Sequence, residues 1–90
     1  MVKVIKEAKK YGHNIEELNV GGGLGIKYTE DDDPPSIDEW VKTISNSVVK
    51  ACKKHNLDLP TLMCEPGRSI VSTAGITIYK IGAFKTIPGI

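Results

Sequence analysis

The chain has 90 residues, about one small domain. Hydrophobic residues make up 40% and charged residues 26%, which argues against wholesale disorder. Twelve Lys and Arg stand against eleven Asp and Glu, a net charge of +1, so neither a broad basic field for nucleic acid nor an acidic tail exists. Apolar runs last only a few residues, which excludes a membrane-spanning helix. The Met1–Lys6 stretch interleaves lysines with aliphatics, unlike an export signal. Cys52 and Cys64 are too few for a disulfide framework, so a cytoplasmic protein with reduced thiols is expected.

In chain order, Met1, Val4, Ile5, Ala8 and Tyr11 recur at helical spacing, and Gly12 follows where a left-handed cap residue is wanted. Ile15 to Val20 reads as a strand stopped by Gly21-Gly22-Gly23. A loop rich in Asp and Pro covers residues 24–35. Ser36-Ile37-Asp38-Glu39 then spells a capping box, opening a helix that ends near His55-Asn56. Its apolar stripe is Ile37, Trp40, Val41, Ile44, Val48, Ala51 and Cys52. Pro60 introduces a second strand, Thr61 to Glu65, cut off by Pro66-Gly67. Arg68 to Ala74 reads as a short helix closed by Gly75, and Ile76 to Ile87 is β-prone. Strands alternating with helices imply an α/β fold with parallel strands. Both unusual loops then lie at one edge, the C-terminal ends of the strands, where such folds hold ligands.

The glycine run can turn its backbone N–H groups toward an anion, phosphate being the natural one, because glycine reaches positive φ cheaply. A tight turn without a ligand would use the same residues. It is neither a Walker loop nor a Gly-x-Gly-x-x-Gly fingerprint. In the second loop, Glu65 on the last residue of a buried strand needs a cation or several donors. Pro66-Gly67 turns the chain before Arg68, so an external cation such as a protonated ring nitrogen suits Glu65 better than Arg68 does. Gly67 and Arg68 begin a helix, where free N–H groups favour an anion, and Arg68 adds a fork suited to phosphate or carboxylate. A solvated Glu65–Arg68 surface pair is the plain alternative.

Leu18-Asn19-Val20-Gly21-Gly22-Gly23-Leu24-Gly25-Ile26, followed beyond one helix by Glu65-Pro66-Gly67-Arg68-Ser69-Ile70-Val71, resembles the pyridoxal-phosphate decarboxylases of the alanine-racemase-like barrel type. Leu24-Gly25-Ile26, Ser69-Ile70-Val71 and Thr73-Ala74-Gly75 favour the diaminopimelate branch. The resemblance implies a partial (β/α)8 TIM barrel, its last two βα units at residues 1–75, followed at 76–90 by the start of a C-terminal β domain. It implies pyridoxal 5'-phosphate as cofactor. Gly22 and Gly23 would donate N–H groups to the phosphate, Gly21 would allow the turn, and Gly67 and the Arg68 backbone would approach from the next loop. Glu65 would pair with the ring nitrogen, and the Arg68 guanidinium would hold a substrate carboxylate. Pro66 completes the cofactor-binding set.

The implied reaction converts meso-2,6-diaminopimelate to L-lysine and CO₂, in a homodimer without membrane or nucleic-acid partners. The family's Schiff-base lysine and stacking histidine lie on upstream strands and have no counterpart here, and the β domain that completes the partner's site is represented by its first strand at most. A fragment inactive by itself is therefore expected, poorly soluble through unpaired sheet edges. A related arginine, ornithine or carboxynorspermidine decarboxylase, or a non-catalytic phosphate-binding module, are the competing readings.

Other residues read as ordinary. His13 and His55 sit at helix C-termini, where a cation is mildly favourable. Cys52 and Cys64 read as core, and Trp40 as packing on the sheet. Glu30-Asp31-Asp32-Asp33 lacks the spacing of a calcium loop and reads as a solvated turn. No metal site is expected. Tyr28, just past the glycines, is placed at the site mouth.

Overall fold

Two short strands, β1 (Glu17–Asn19) and β2 (Thr61–Met63), pair in parallel in the computed structural model, which describes residues 1–89. Leu18 lies opposite Leu62 and Asn19 opposite Met63. Backbone bonds carry the pairing past both strand ends, from Val20 N–H to Met63 O (3.0 Å) and from Glu65 N–H to Gly21 O (2.8 Å). This continuation ties the two loops together. The strands are shorter than the expected Ile15–Val20 and Thr61–Glu65, because each has one neighbour and its ends are held by isolated bonds.

Helix α1 (Val2–Lys10) precedes β1 and packs on α2 (Ile37–His55), the crossover between the strands. Gly12, at φ 82°, turns the chain away from α1 as expected. The buried side of α1 is Val2, Ile5 and Ala8; Met1, Val4 and Tyr11, expected on the apolar face, are exposed. A single neighbouring helix covers only a narrow stripe of α1.

The capping box of α2 forms in full. Ser36 Oγ accepts from Glu39 N–H (3.2 Å), and Glu39 Oε2 accepts from the Ser36 N–H (3.0 Å) and hydroxyl (2.9 Å). These bonds hold the Glu39 carboxyl below its ordinary range, the backbone N–H contributing most. At the other end Asn56 adopts the left-handed region (φ 53°, ψ 52°), and Leu57 N–H reaches back to Cys52 O (3.0 Å). The core is Val2, Leu18, Val48 and Cys52, with Ile5, Val20, Ile44, Ala51, Leu57 and Leu62 packed against it. Cys52 is 1% exposed, as its stripe requires.

Two expectations are corrected. Cys64 is exposed rather than core: it shares a face with Leu62 beneath the N-terminal half of α2, where half-buried Trp40 leaves a gap of about 270 Å³. Ile37 and Val41 on the same half are exposed too. The β-prone tail forms no strand among the described residues; Ile76 is 89% and Phe84 90% exposed. A strand needs a ladder partner, and none is within reach. The tail's last residue, Ile90, lies outside the described residues. At His55, burial first and then the charges of Lys6, Lys54 and Lys3 lower the pKa.

The Cα radius of gyration is 19.2 Å, against about 12 Å for a closed domain of this length. The exposed residues 76–89 contribute to that value, while exposed Ile37 and Val41 and the gap beside Trp40 leave apolar surface of the βα unit open. No helix among the described residues is long and apolar enough to cross a membrane.

Candidate functional site

The sheet brings both sequence-predicted loops to one edge. Alternation along the strands puts Leu18, Val20, Leu62 and Cys64 on the α2 side, and Asn19, Gly21, Met63 and Glu65 on the other. Gly21 (φ 73°) and Gly23 (φ 91°) occupy conformations an L side chain rarely adopts, so the turn needs both. Gly22 is constrained differently. A Cβ there would fall inside the van der Waals shell of the Glu65 carbonyl oxygen and lie 3.3 Å from its carbonyl carbon. Glycine at 22 is what lets the two loops touch.

The second loop is an inverse γ-turn. Pro66 (φ −78°, ψ 60°) sits at its centre, and Gly67 N–H donates to Glu65 O (2.8 Å). Proline sets that φ in advance. Gly67 thus uses its N–H inside the turn, and Gly21 uses its own on Asn19 Oδ1 (2.7 Å). The N–H groups of Gly22, Gly23 and Arg68 remain unengaged among the described residues. The turn leads into α3 (Gly67–Val71) and a 3₁₀ turn (Ser72–Ala74), matching the expected short helix.

Glu65 is exposed at this edge, not buried as the strand reading implied. Its Oε1 accepts from Asn19 Nδ2 at 2.5 Å. Arg68 makes no ion pair with Glu65; among the described residues the one ion pair joins Lys10 and Glu7. Instead, Arg68 Nη1 donates to the Tyr28 hydroxyl oxygen (2.5 Å). A groove of about 780 Å³ opens beside this pair, lined also by Ile26, Val71, Ser72 and Tyr79.

The acidic run has a structural use at Asp32. Its Oδ2 accepts from the N–H groups of Thr29 (2.8 Å) and Tyr28 (3.0 Å) and from the Thr29 hydroxyl (3.1 Å). The Thr29 N–H bond is foremost in holding this carboxyl below its ordinary range. Asp32 thereby fixes the backbone that carries Tyr28. No group of three His, Cys, Asp or Glu among the described residues is placed to hold a metal ion.

Sequence reasoning passed over Asn19, which touches both loops. The available signal was its position, two residues before a glycine that must turn, where Asn and Asp side chains commonly bond the backbone.

The fold and these paired loops define an α/β unit with open backbone N–H groups at the C-terminal ends of parallel strands. Residues 1–72 match the family model described as "Pyridoxal-dependent decarboxylase, pyridoxal binding domain", and the chain belongs to that family. Its relatives include the diaminopimelate decarboxylase of Synechocystis sp., 49% identical over all 90 residues of this chain and 19% of that protein. The diaminopimelate decarboxylase of Bacillus methanolicus is 42% identical over 96% of this chain and 20% of its own length. Among solved structures, a crystal structure of diaminopimelate decarboxylase from M. jannaschi superposes with a TM-score of 0.69 at 40% identity, covering 80% of this chain and 16% of that one. The chain spans about a fifth of the length of these two curated relatives.

Proposed function

We propose that this chain is the segment of a pyridoxal-phosphate-dependent carboxy-lyase that grips the cofactor's phosphate and ring nitrogen, the whole enzyme converting meso-2,6-diaminopimelate to L-lysine and CO₂. The observation that carries the reading is the contact of Gly22 with the Glu65 carbonyl. It brings the open N–H groups of Gly22, Gly23 and Arg68, the Glu65 carboxylate and the Arg68 guanidinium to one strand-end edge. The residues suit the group: a glycine cradle for a phosphate, and an acceptor for a ring N–H, on adjoining loops. Relatives at 49% and 42% identity bear the name diaminopimelate decarboxylase.

In this reading Gly22, Gly23 and Arg68 N–H groups bind phosphate oxygens, with Gly21, Pro66 and Gly67 shaping the turns that present them. The bound cofactor supplies an electron sink for the electron pair left when CO₂ departs. Glu65 keeps a proton on the ring nitrogen, which deepens that sink. The Arg68 guanidinium, braced by Tyr28, holds a substrate carboxylate at the groove mouth. Residues 1–75 would be the last two βα units of a (β/α)8 barrel, and 76–90 the start of a following β domain. The open apolar surface at Ile37, Val41 and Trp40 of the βα unit supports a place within a larger barrel. The resemblance adds a homodimer, and two free thiols fit a reducing cytoplasm.

The test is the full-length protein reconstituted with pyridoxal phosphate. CO₂ release from meso-diaminopimelate well above that from arginine, ornithine or carboxynorspermidine is expected. Preference for arginine, ornithine or carboxynorspermidine overturns the substrate. Failure to retain the cofactor, with no borohydride-trapped lysine adduct, overturns the enzyme reading.

A further inference from the structure

Asn19 makes two hydrogen bonds that face opposite ways. Its Oδ1 accepts from the backbone N–H of Gly21 (2.7 Å), and its Nδ2 donates to Glu65 Oε1 (2.5 Å). The first fixes the second. A backbone N–H can only donate, so it selects the amide oxygen, and the NH₂ group must then point at the carboxylate. Asn19 is also held in register by the ladder opposite Met63, two residues before Glu65. The glutamate, by contrast, is exposed and has no other side-chain partner among the described residues. A glutamate with three rotatable side-chain bonds, placed after the end of its strand, does not aim itself.

We infer that Asn19 is a positioning residue: its amide couples the glycine turn to the Glu65 carboxylate, committing one carboxylate oxygen so that the carboxylate faces a ring nitrogen of the cofactor. This inference rests on the reading of Glu65 as the ring-nitrogen partner. It adds a mechanical link that neither loop contains alone. The turn that shapes the phosphate cradle and the acid that meets the ring are set by one side chain, so phosphate and ring are received in a fixed relation.

Serine at 19 separates the two bonds. Its hydroxyl can still accept from the N–H two residues on, as serine does in such turns, but it is too short to reach Glu65. The experiment uses the full-length apo-protein, titrated with pyridoxal phosphate and with its 1-deaza analogue, in which C–H replaces the ring nitrogen. Glu65→Gln is the control. The wild type is expected to prefer pyridoxal phosphate, and Glu65→Gln to lose most of that preference. Asn19→Ser is expected to narrow the preference about tenfold, the scale of one hydrogen bond to a charged group, while binding inorganic phosphate as the wild type does. Asn19→Thr repeats the test with a residue better suited to a strand, should the serine variant fold poorly.

If Asn19→Ser keeps the wild-type preference while Glu65→Gln loses it, the positioning inference is wrong and the reading of Glu65 stands. If Asn19→Ser weakens both probes equally, Asn19 acts through the glycine loop alone, and the inference is again wrong. If Glu65→Gln leaves the preference intact, the reading of Glu65 itself falls.

Discussion

Alanine at each glycine of the two loops is expected to produce a graded series, and the grading comes from the contacts. At Gly22 the new methyl would meet backbone, the Glu65 carbonyl, which cannot swing aside as a flexible side chain would. The loops must separate, at a cost on the scale of overpacking a filled core, about 1–3 kcal/mol. At Gly21 and Gly23 a Cβ meets nothing within 4 Å, but φ is 73° and 91°. The cost there is strain of about 1–2 kcal/mol. At Gly67 there is open space and no positive φ, so alanine is expected to change apo-protein stability by less than about 1 kcal/mol. Urea unfolding of the full-length apo-protein reads these differences, and cofactor titration reads the same variants at the site. Gly22→Ala is expected to lose affinity through movement of both loops, and Gly67→Ala only through direct interference at the phosphate. Wild-type stability and affinity in Gly22→Ala would mean that the loops do not touch, and the shared site would be lost with them.

Removing the α2 cap with Ser36→Ala should destabilise the full-length protein by about 1 kcal/mol, measured by urea unfolding. Glu39 is held below its ordinary value of 4.5 by the Ser36 N–H and then its hydroxyl. A lowered carboxyl contributes stability above its unfolded value and loses it as pH falls through the folded one. The stability difference between wild type and Glu39→Gln should therefore be full near neutral pH and shrink as pH drops below 4.5; a difference that grows on acidification contradicts the capping account. Tyr28→Phe removes the acceptor that braces Arg68 and is expected to raise the full-length enzyme's KM roughly tenfold with kcat nearly kept. An unchanged KM would detach Tyr28 from substrate binding. The 90-residue chain by itself should unfold without a sharp thermal transition and be cut first within residues 76–89, where the apolar side chains lie open. A cooperative transition in calorimetry would refute that expectation.

Local sequence chemistry was enough to determine the helix capped by Ser36, the stop at Gly12, and the end of the first strand at Gly21-Gly22-Gly23. In each case the residue satisfies or frees a backbone group within a few positions of itself, so no distant partner is needed. The parallel pairing was legible too, since a strand, a capped helix and a second strand leave few other ways to close a crossover. The two loops stood out as a candidate site because both carry unusual residue types at strand ends.

Tertiary structure alone decided which of those groups meet. That Gly22 is a contact residue while Gly21 and Gly23 are conformational ones depends on where Glu65 arrives from the other strand. Glu65 turned out to be exposed and engaged by Asn19, and Arg68 by Tyr28, forty or more positions away in each case. Cys64 and the tail were misread for one reason: alternation and β-propensity describe which face a residue would bury, whereas burial also requires a neighbour to cover that face. Among the described residues no neighbour covers either place, so the pattern is apolar and the surface is open.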